Sequence, residues 1–239
     1  MPKTFHDKRV TRPPFLELDV KSYSFWHDLP KQFDVFELKY DGIWGRVEIE
    51  KFKLSVYSRN GQLKAERRLK WPIPDLCVFH SEFMFGSNWS QDPSRKGKII
   101  VFDATIINGT DISNKPLWHR RHSAQKVLDI LERTDMELIE QFPTHRATKI
   151  WSEKVIDQHF EGLIFKGSDD PFGAKWGRAK RLYEMDYICT GFNESDAPKY
   201  KGRMVRSVRG GLFDDDKNLV EVCNVSGLDE DTRVDMYDN

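Results

Sequence analysis

The chain of 239 residues has no net charge, few cysteines and no long apolar run, and each shortage removes a class of protein. Lys and Arg number 38 and Asp and Glu 38, so binding to an acidic partner must come from uneven placement of charge, not from a global excess. The three cysteines, Cys77, Cys189 and Cys223, lie far apart without Cys-x-x-Cys spacing, which excludes a zinc ribbon, a thioredoxin-type pair and a disulfide framework. A reducing compartment is the expectation. No apolar stretch is long enough to span a bilayer, and Met1 to Lys8 has no apolar core behind it for a signal peptide. The expected location is intracellular: cytoplasmic, or the host cytoplasm for a viral source. Internal repeats and low-complexity stretches are also missing.

What remains is the composition of a folded protein, with 38% hydrophobic, 32% charged and 13% aromatic residues. The length admits a medium domain followed by a small one. Residues 1–32, rich in Pro, Lys and aromatics and extended around Pro13-Pro14, read as an arm. Short β-type runs follow at Phe33–Lys39, Arg46–Ile49, Leu54–Tyr57, Leu76–Phe83 and Lys98–Ile106. Leu117, Ala124, Val127, Leu128 and Leu131 fall at helical spacing, predicting a helix over Pro116–Glu132 that starts on a proline. A weaker helix is expected over Glu153–Phe160, and strands over Gly162–Lys166 and Tyr183–Phe192. Beyond Phe192 a basic run, Lys199 to Arg209, precedes Gly210-Gly211, an acidic turn at Asp214 to Asp216 and a strand from Leu219 to Val222. This reads as a small β unit with one cationic side. The class is α+β.

The chemistry centres on Glu37-Leu38-Lys39-Tyr40-Asp41-Gly42, where a strand runs into a turn. A lysine near its reference pKa of about 10.4 is protonated and cannot attack phosphorus, so a nucleophilic lysine needs neighbouring cations or metal. Alone, Lys39 reads as a surface lysine before an Asp-Gly turn. Further strings follow in order: Ser58-Arg59-Asn60-Gly61; Phe79-His80-Ser81-Glu82-Phe83; Ile100-Val101-Phe102-Asp103 with Gly109 and Pro116 to Arg121; Glu161-Gly162-Leu163-Ile164-Phe165-Lys166; and Trp176-Gly177-Arg178-Ala179-Lys180. Each has a bland reading as a turn, a core strand or a basic patch. Their order on one short chain does not.

That series resembles the covalent nucleotidyltransferases, and within them the ATP-dependent DNA ligases, in a small, phage-like form; the resemblance covers roughly residues 33 to 235. It implies a nucleotidyltransferase domain at 33–186, ATP-grasp-like, with antiparallel sheets and flanking helices. It implies a small, abbreviated OB-fold domain at 187–239. Lys39 is then the nucleophile that carries AMP. Nucleotide contacts fall to Glu37, Lys39, Arg46, Arg59, Glu82, Phe102, Lys166, Arg178 and Lys180, with Phe102 stacking on adenine. Glu161, with Glu82, holds Mg²⁺ or Mn²⁺, as oxygen ligands suit a hard cation beside phosphates. Lys199, Lys201, Arg203, Arg206 and Arg209 clamp DNA through its phosphates.

The implied activity is sealing of 3′-hydroxyl/5′-phosphate nicks in duplex DNA by a monomer, through lysyl-AMP and adenylylated DNA, in repair, replication or recombination. RNA ligase and capping-type transfer are the enzymatic alternatives, and a non-catalytic nick- or end-binding protein is the alternative of another class. With 38 residues before Lys39, NAD⁺ is not the expected donor. Three departures stand out. Arg178 replaces a lysine, His80-Ser81 replaces Asp-Gly before Glu82, and Trp44 stands where the family carries arginine, so Arg46, on the same strand face, is the expected substitute. No counterpart of the family's last basic motif follows Asp231, from which slow self-adenylation is expected.

Overall fold

The structure, a computed structural model, describes residues 12–18, 29–84, 96–131, 135–181 and 186–238. Residues 1–11 and 19–28 of the expected arm, Glu132 and Tyr183 lie outside them. In chain order the strands are β1 (Phe15–Glu17), β2 (Val35–Lys39), β3 (Ile43–Ser58), β4 (Leu63–Phe83), β5 (Ile99–Ile107), β6 (Thr110–Asp111), β7 (Met136–Leu138), β8 (Gln141–Pro143), β9 (Gly162–Lys166) and β10 (Trp176–Lys180). Helix α1 (Leu117–Leu131) lies between β6 and β7, and a short α2 (Ala147–Ile150) between β8 and β9. These belong to a first unit, Met1–Arg181; a second, Leu182–Asn239, holds β11 (Ile188–Glu194), β12 (Val205–Phe213), β13 (Leu219–Val225) and α3 (Glu230–Asp238).

The first unit is built on two sheets. One runs β1-β10-β9-β2-β8, antiparallel except where β1 lies parallel to β10; the other runs β3-β4-β5-β6, with β7 parallel to β5. Alternation along β5 shows how one strand serves two cores. Ile99 and Val101 join the cluster containing Val127, Leu128 and Leu131 of α1. Ile100 and Phe102 join the cluster containing Phe36, Leu163, Phe165 and Trp176 of the first sheet. Burial of these side chains, each worth roughly 1.5–3 kcal/mol, fixes the strand ends that carry the polar residues.

Several expectations change. Phe15–Glu17, read as arm, forms an edge strand in register with Trp176, Gly177 and Arg178. The strands expected at 46–49 and 54–57 are one bent strand, β3, whose register shifts around Lys51 at φ 55°. Strand β4 begins at Leu63, not Leu76, because its first half is an exposed hairpin arm rich in charge with little apolar alternation to read. The second helical stretch runs from Thr144 to Ile156, not from Glu153 to Phe160. His159 at φ 59° is left-handed, and a right-handed helix cannot pass through it.

The second unit is a three-stranded antiparallel sheet, β11-β12-β13, with α3 beside β12. Among the described residues it has three strands, against the five of a complete OB barrel. Asp229 caps α3, accepting the Thr232 N–H at 2.9 Å and the Thr232 hydroxyl at 2.7 Å. No helix among the described residues is long and apolar enough to cross a membrane.

Candidate active site

Three strand ends meet at Gly162, which stands opposite Lys39 of β2 and Lys180 of β10. A Cβ at Gly162 would lie 2.0 Å from the Ala179 carbonyl oxygen, so only glycine allows β9 and β10 to approach this closely. Glu161, one residue earlier, therefore lies between the two lysines. Its Oε2 pairs with Lys39 Nζ and its Oε1 with Lys180 Nζ at 3.1 Å. Burial pushes the Glu161 carboxyl up, but Lys39 and Lys180 outweigh it and hold the group below the usual glutamate range.

Beyond Lys39 the chain turns through Asp41-Gly42. The Gly42 N–H donates to Glu82 Oε1 at 3.1 Å, and a Cβ there would meet Glu82 Cγ and the Phe83 carbonyl oxygen at 2.8 Å. The glycine thus brings the turn onto β4. Burial pushes the Glu82 carboxyl up to about 7, against the pull of Lys39 and the Gly42 N–H and with a push from Glu161. Burial and Glu161 likewise raise Asp41. Three carboxylates crowded to the point of raising two of them suit a divalent cation, although no cluster of three metal-binding side chains closes among the described residues. The fit is to a hard ion that takes its remaining oxygens from phosphate and water.

These groups line one end of a cavity of about 270 Å³. Its other walls are apolar: Trp44 stands 4.7 Å from Phe102, 5.9 Å from Trp176 and 6.5 Å from Phe15, ring centre to ring centre. Phe102 is 6% exposed and meets Trp44 and Trp176 edge to face. Lys166 Nζ lies 4.1 Å from the centre of the Trp176 ring and 2.5 Å from Glu37 Oε2. Glu37 also accepts from Arg121 at 2.8 Å and from Gln141 at 3.3 Å. Burial draws the Lys166 ammonium down, and Glu37 opposes it.

Of the residues singled out from sequence, Glu37, Lys39, Glu82, Phe102, Glu161, Lys166, Arg178 and Lys180 all line this cavity. Arg178 is held by Glu17 of β1 and lies 4.6 Å over the Phe15 ring. Arg59 lines an adjoining depression shared with Arg12, Gly42 and Trp44. Arg46, expected to meet nucleotide, is not among the residues lining the cavity: one pleat beyond Trp44, it is buried and paired with Glu48 at 2.5 Å. His80 is buried too, stacked on Phe172 at 4.3 Å with Nε2 3.1 Å from Thr105 Oγ1, and burial lowers it to about 4. Arg120 and Asp103 form a buried fork, with Nε and Nη2 each 2.7 Å from a carboxylate oxygen.

Sequence reading missed Arg12, Phe15, Trp44 and Trp176 as cavity residues. Trp176, two residues before Arg178, shares its strand; Arg12 and Phe15 gave no signal, because β1 pairs with a strand some 160 residues away.

In the second unit the basic run is divided. Lys199, Lys201 and Arg203 are exposed before β12, with Lys199 on Tyr200 at 2.9 Å. Arg206 pairs with Asp196, and Arg209 with Glu221 at 3.1 Å. Arg206 and Arg209 are thus each matched to a carboxylate, whereas Lys199, Lys201 and Arg203 lie exposed ahead of the strand.

No family model matches the sequence. A curated protein named probable DNA ligase, from Dictyoglomus turgidum, is 25% identical over 141 residues, covering 51% of this chain and 23% of that protein. The chain thus spans about a quarter of the length of the curated relative it matches. Among solved structures, one named Pmar-Lig_Pre superposes with a TM-score of 0.60 at 16% identity, over 95% of this chain and 59% of that one. A structure from work on Lig E DNA ligases, described as binding DNA with a minimal scaffold, gives 0.57 at 14%, over 94% and 88%. Mycobacterial DNA ligase D complexed with ATP and MES gives 0.50 at 18%, over 90% and 72%. The chain shares the mixed α+β fold of these ligase structures.

Proposed function

We propose that the chain is an ATP-dependent DNA ligase that seals nicks through a lysyl-AMP at Lys39. The observation that carries this reading is the placing of Lys39 beside Glu161 and Lys180 at the charged end of a cavity whose other end is aromatic. The aromatic end, around Phe102, Trp44 and Trp176, suits a purine base, and the charged end a phosphate. In charging, Lys39 loses a proton to solvent, its Nζ bonds to the α-phosphorus, and the bond to pyrophosphate breaks. A 5′-phosphate oxygen at the nick then attacks the same phosphorus, and Lys39 leaves and regains a proton. The 3′-hydroxyl finally loses its proton to solvent, its oxygen bonds to the 5′-phosphorus, and the bond from that phosphorus to AMP breaks.

Lys180 and Arg178 are suited to neutralise the charge that builds on the phosphoryl oxygens. Glu161 and Glu82 would hold the Mg²⁺ or Mn²⁺, which when bound supplies further neutralisation of the phosphates. Lys166, buried against Glu37, is suited to fix the cavity floor more than to move with substrate. Lys199, Lys201 and Arg203, exposed in the second unit, are the residues available for duplex phosphates.

Incubation with α-labelled ATP and Mg²⁺, followed by a denaturing gel, tests the reading. Label should stay on the protein, vanish in Lys39→Ala and pass to a nicked duplex. Absence of label with ATP, or label retained in Lys39→Ala, would overturn it; label from GTP alone would point to capping-type transfer.

A further inference from the structure

The cavity is lined by five cationic side chains, and four already have a carboxylate. Lys39 and Lys180 share Glu161, Lys166 has Glu37, and Arg178 has Glu17. Arg12 is the fifth, and among the described residues no carboxylate stands at ion-pair distance from it. Its guanidinium lies 5.0 Å over the centre of the Trp44 ring, a cation–π contact that fixes position without cancelling charge. Arg12 also lines both the cavity that holds Lys39 and the adjoining depression that holds Arg59. With Gly42 and Trp44, which also line both, it forms the wall that the two share. Burial lowers the Arg12 guanidinium from its ordinary value, Arg59 and Arg178 lower it further, and Glu82 and Glu161 pull the other way.

The two reactions at Lys39 share one geometry. Phosphoryl transfer runs with attacking and leaving atoms in line through phosphorus. In charging, Lys39 enters and pyrophosphate leaves opposite it; in transfer to a strand end, the 5′-phosphate enters where pyrophosphate left, and Lys39 is the leaving group. One place, on the side of the α-phosphorus away from Lys39, would thus meet a phosphate in both steps.

We propose that Arg12, delivered by the pairing of β1 with β10, binds the phosphate that stands in line with Lys39: pyrophosphate during charging and the 5′-phosphate of the strand end during transfer. The roles in charging and in transfer both rest on the ligase reading, and the binding of pyrophosphate at Arg12 does not. Arg12 is exposed and its neighbours Phe15 to Glu17 carry the strand pairing, so Arg12→Ala and Arg12→Lys keep the fold.

Inorganic pyrophosphate titrated calorimetrically into the full chain gives the first arm. Arg12→Ala should weaken it at least about tenfold and Arg12→Lys less, because a point charge replaces part of the fork. The second arm is single-turnover transfer of AMP from charged protein to nicked duplex carrying a 5′-phosphate, where Arg12→Ala should raise the half-saturating duplex concentration at least about tenfold. In charging, the KM for ATP should rise more than kcat falls. Unchanged pyrophosphate affinity in Arg12→Ala overturns the proposal, and so does a loss confined to one arm of two measurable arms. Should the wild-type chain form no lysyl-nucleotide, the ligase reading fails and the pyrophosphate titration alone decides the role of Arg12.

Discussion

Lys39 is paired to one oxygen of Glu161 while Lys180 occupies the other, 3.1 Å away. A single carboxylate thus positions the proposed nucleophile and the cation beside it. Glu161→Gln keeps the shape but cannot hold two ammonium groups, and should slow lysyl-AMP formation by about 100-fold or more, the scale of lost electrostatic preorganisation. Sealing of a pre-adenylated nick, which needs no lysyl-phosphate bond, should suffer less. Equal losses in both assays would show that Glu161 acts on the fold or the metal and not on Lys39.

Glu82 costs stability once the pH rises above the ordinary glutamate range. Its carboxyl rises to about 7, so the folded protein holds a proton that the unfolded chain, near 4.5, has released. Stability from this group is present at low pH and lost as pH rises from about 4.5 through 7. Glu82→Gln, whose side-chain oxygen can still accept the Gly42 N–H, should melt several degrees above wild type at pH 8 and within about one degree of it at pH 4. Charging should fall in the same variant. A melting difference independent of pH would assign the effect to packing.

His80 works in the opposite direction. Lowered to about 4 by burial against Phe172, it enters the fold neutral, while the unfolded chain takes up a proton near 6.5. The stability it supports is complete above about 6.5 and is lost as pH falls toward 4, up to roughly 3 kcal/mol over the full window. Denaturant titrations of wild type and His80→Gln between pH 7 and 4 should converge as the pH falls. Parallel curves would mean that His80 is protonated in the folded protein without penalty.

Much of the site was legible because its residues sit within strands that announce themselves. Glu161-Gly162 and Lys166 flank an apolar run, and Lys39 ends another, so the order of strings carried the cavity without any knowledge of sheet order. What failed were questions of register and pairing. Arg46 satisfied the alternation rule and shares a face with Trp44, yet one pleat moved it from the cavity to Glu48. Alternation gives the face and not the depth. Likewise the run from Lys199 to Arg209 reads as one patch along the chain, but Arg206 and Arg209 are each paired to a carboxylate, of Asp196 and of Glu221. The N-terminal wall was invisible for a different reason: Phe15 and Glu17 acquire meaning only through parallel pairing with Trp176 to Arg178, a contact no local pattern encodes. Glu37 and Lys166 line the cavity, but the sequence did not show that each is spent on the other.

That N-terminal wall yields a last expectation, at Glu17 and Arg178. They sit opposite each other on β1 and β10, and Glu17 is 60% exposed at its side chain, so the ion pair contributes little to stability, about 0–1 kcal/mol. It does occupy the guanidinium proposed to meet phosphate. Glu17→Gln should leave the melting temperature within about two degrees of wild type and lower the KM for ATP about two- to fivefold, because the substrate no longer competes with a carboxylate for Arg178. Arg178→Gln should raise it. The stacking of Arg178 on Phe15, at 4.6 Å, survives the first substitution and keeps the side chain aimed at the cavity. If KM stays put in Glu17→Gln and rises in Arg178→Gln, Arg178 meets substrate without leaving Glu17. If neither changes KM, the pair is wall alone, and Lys180 and Arg12 are left to bind the phosphates.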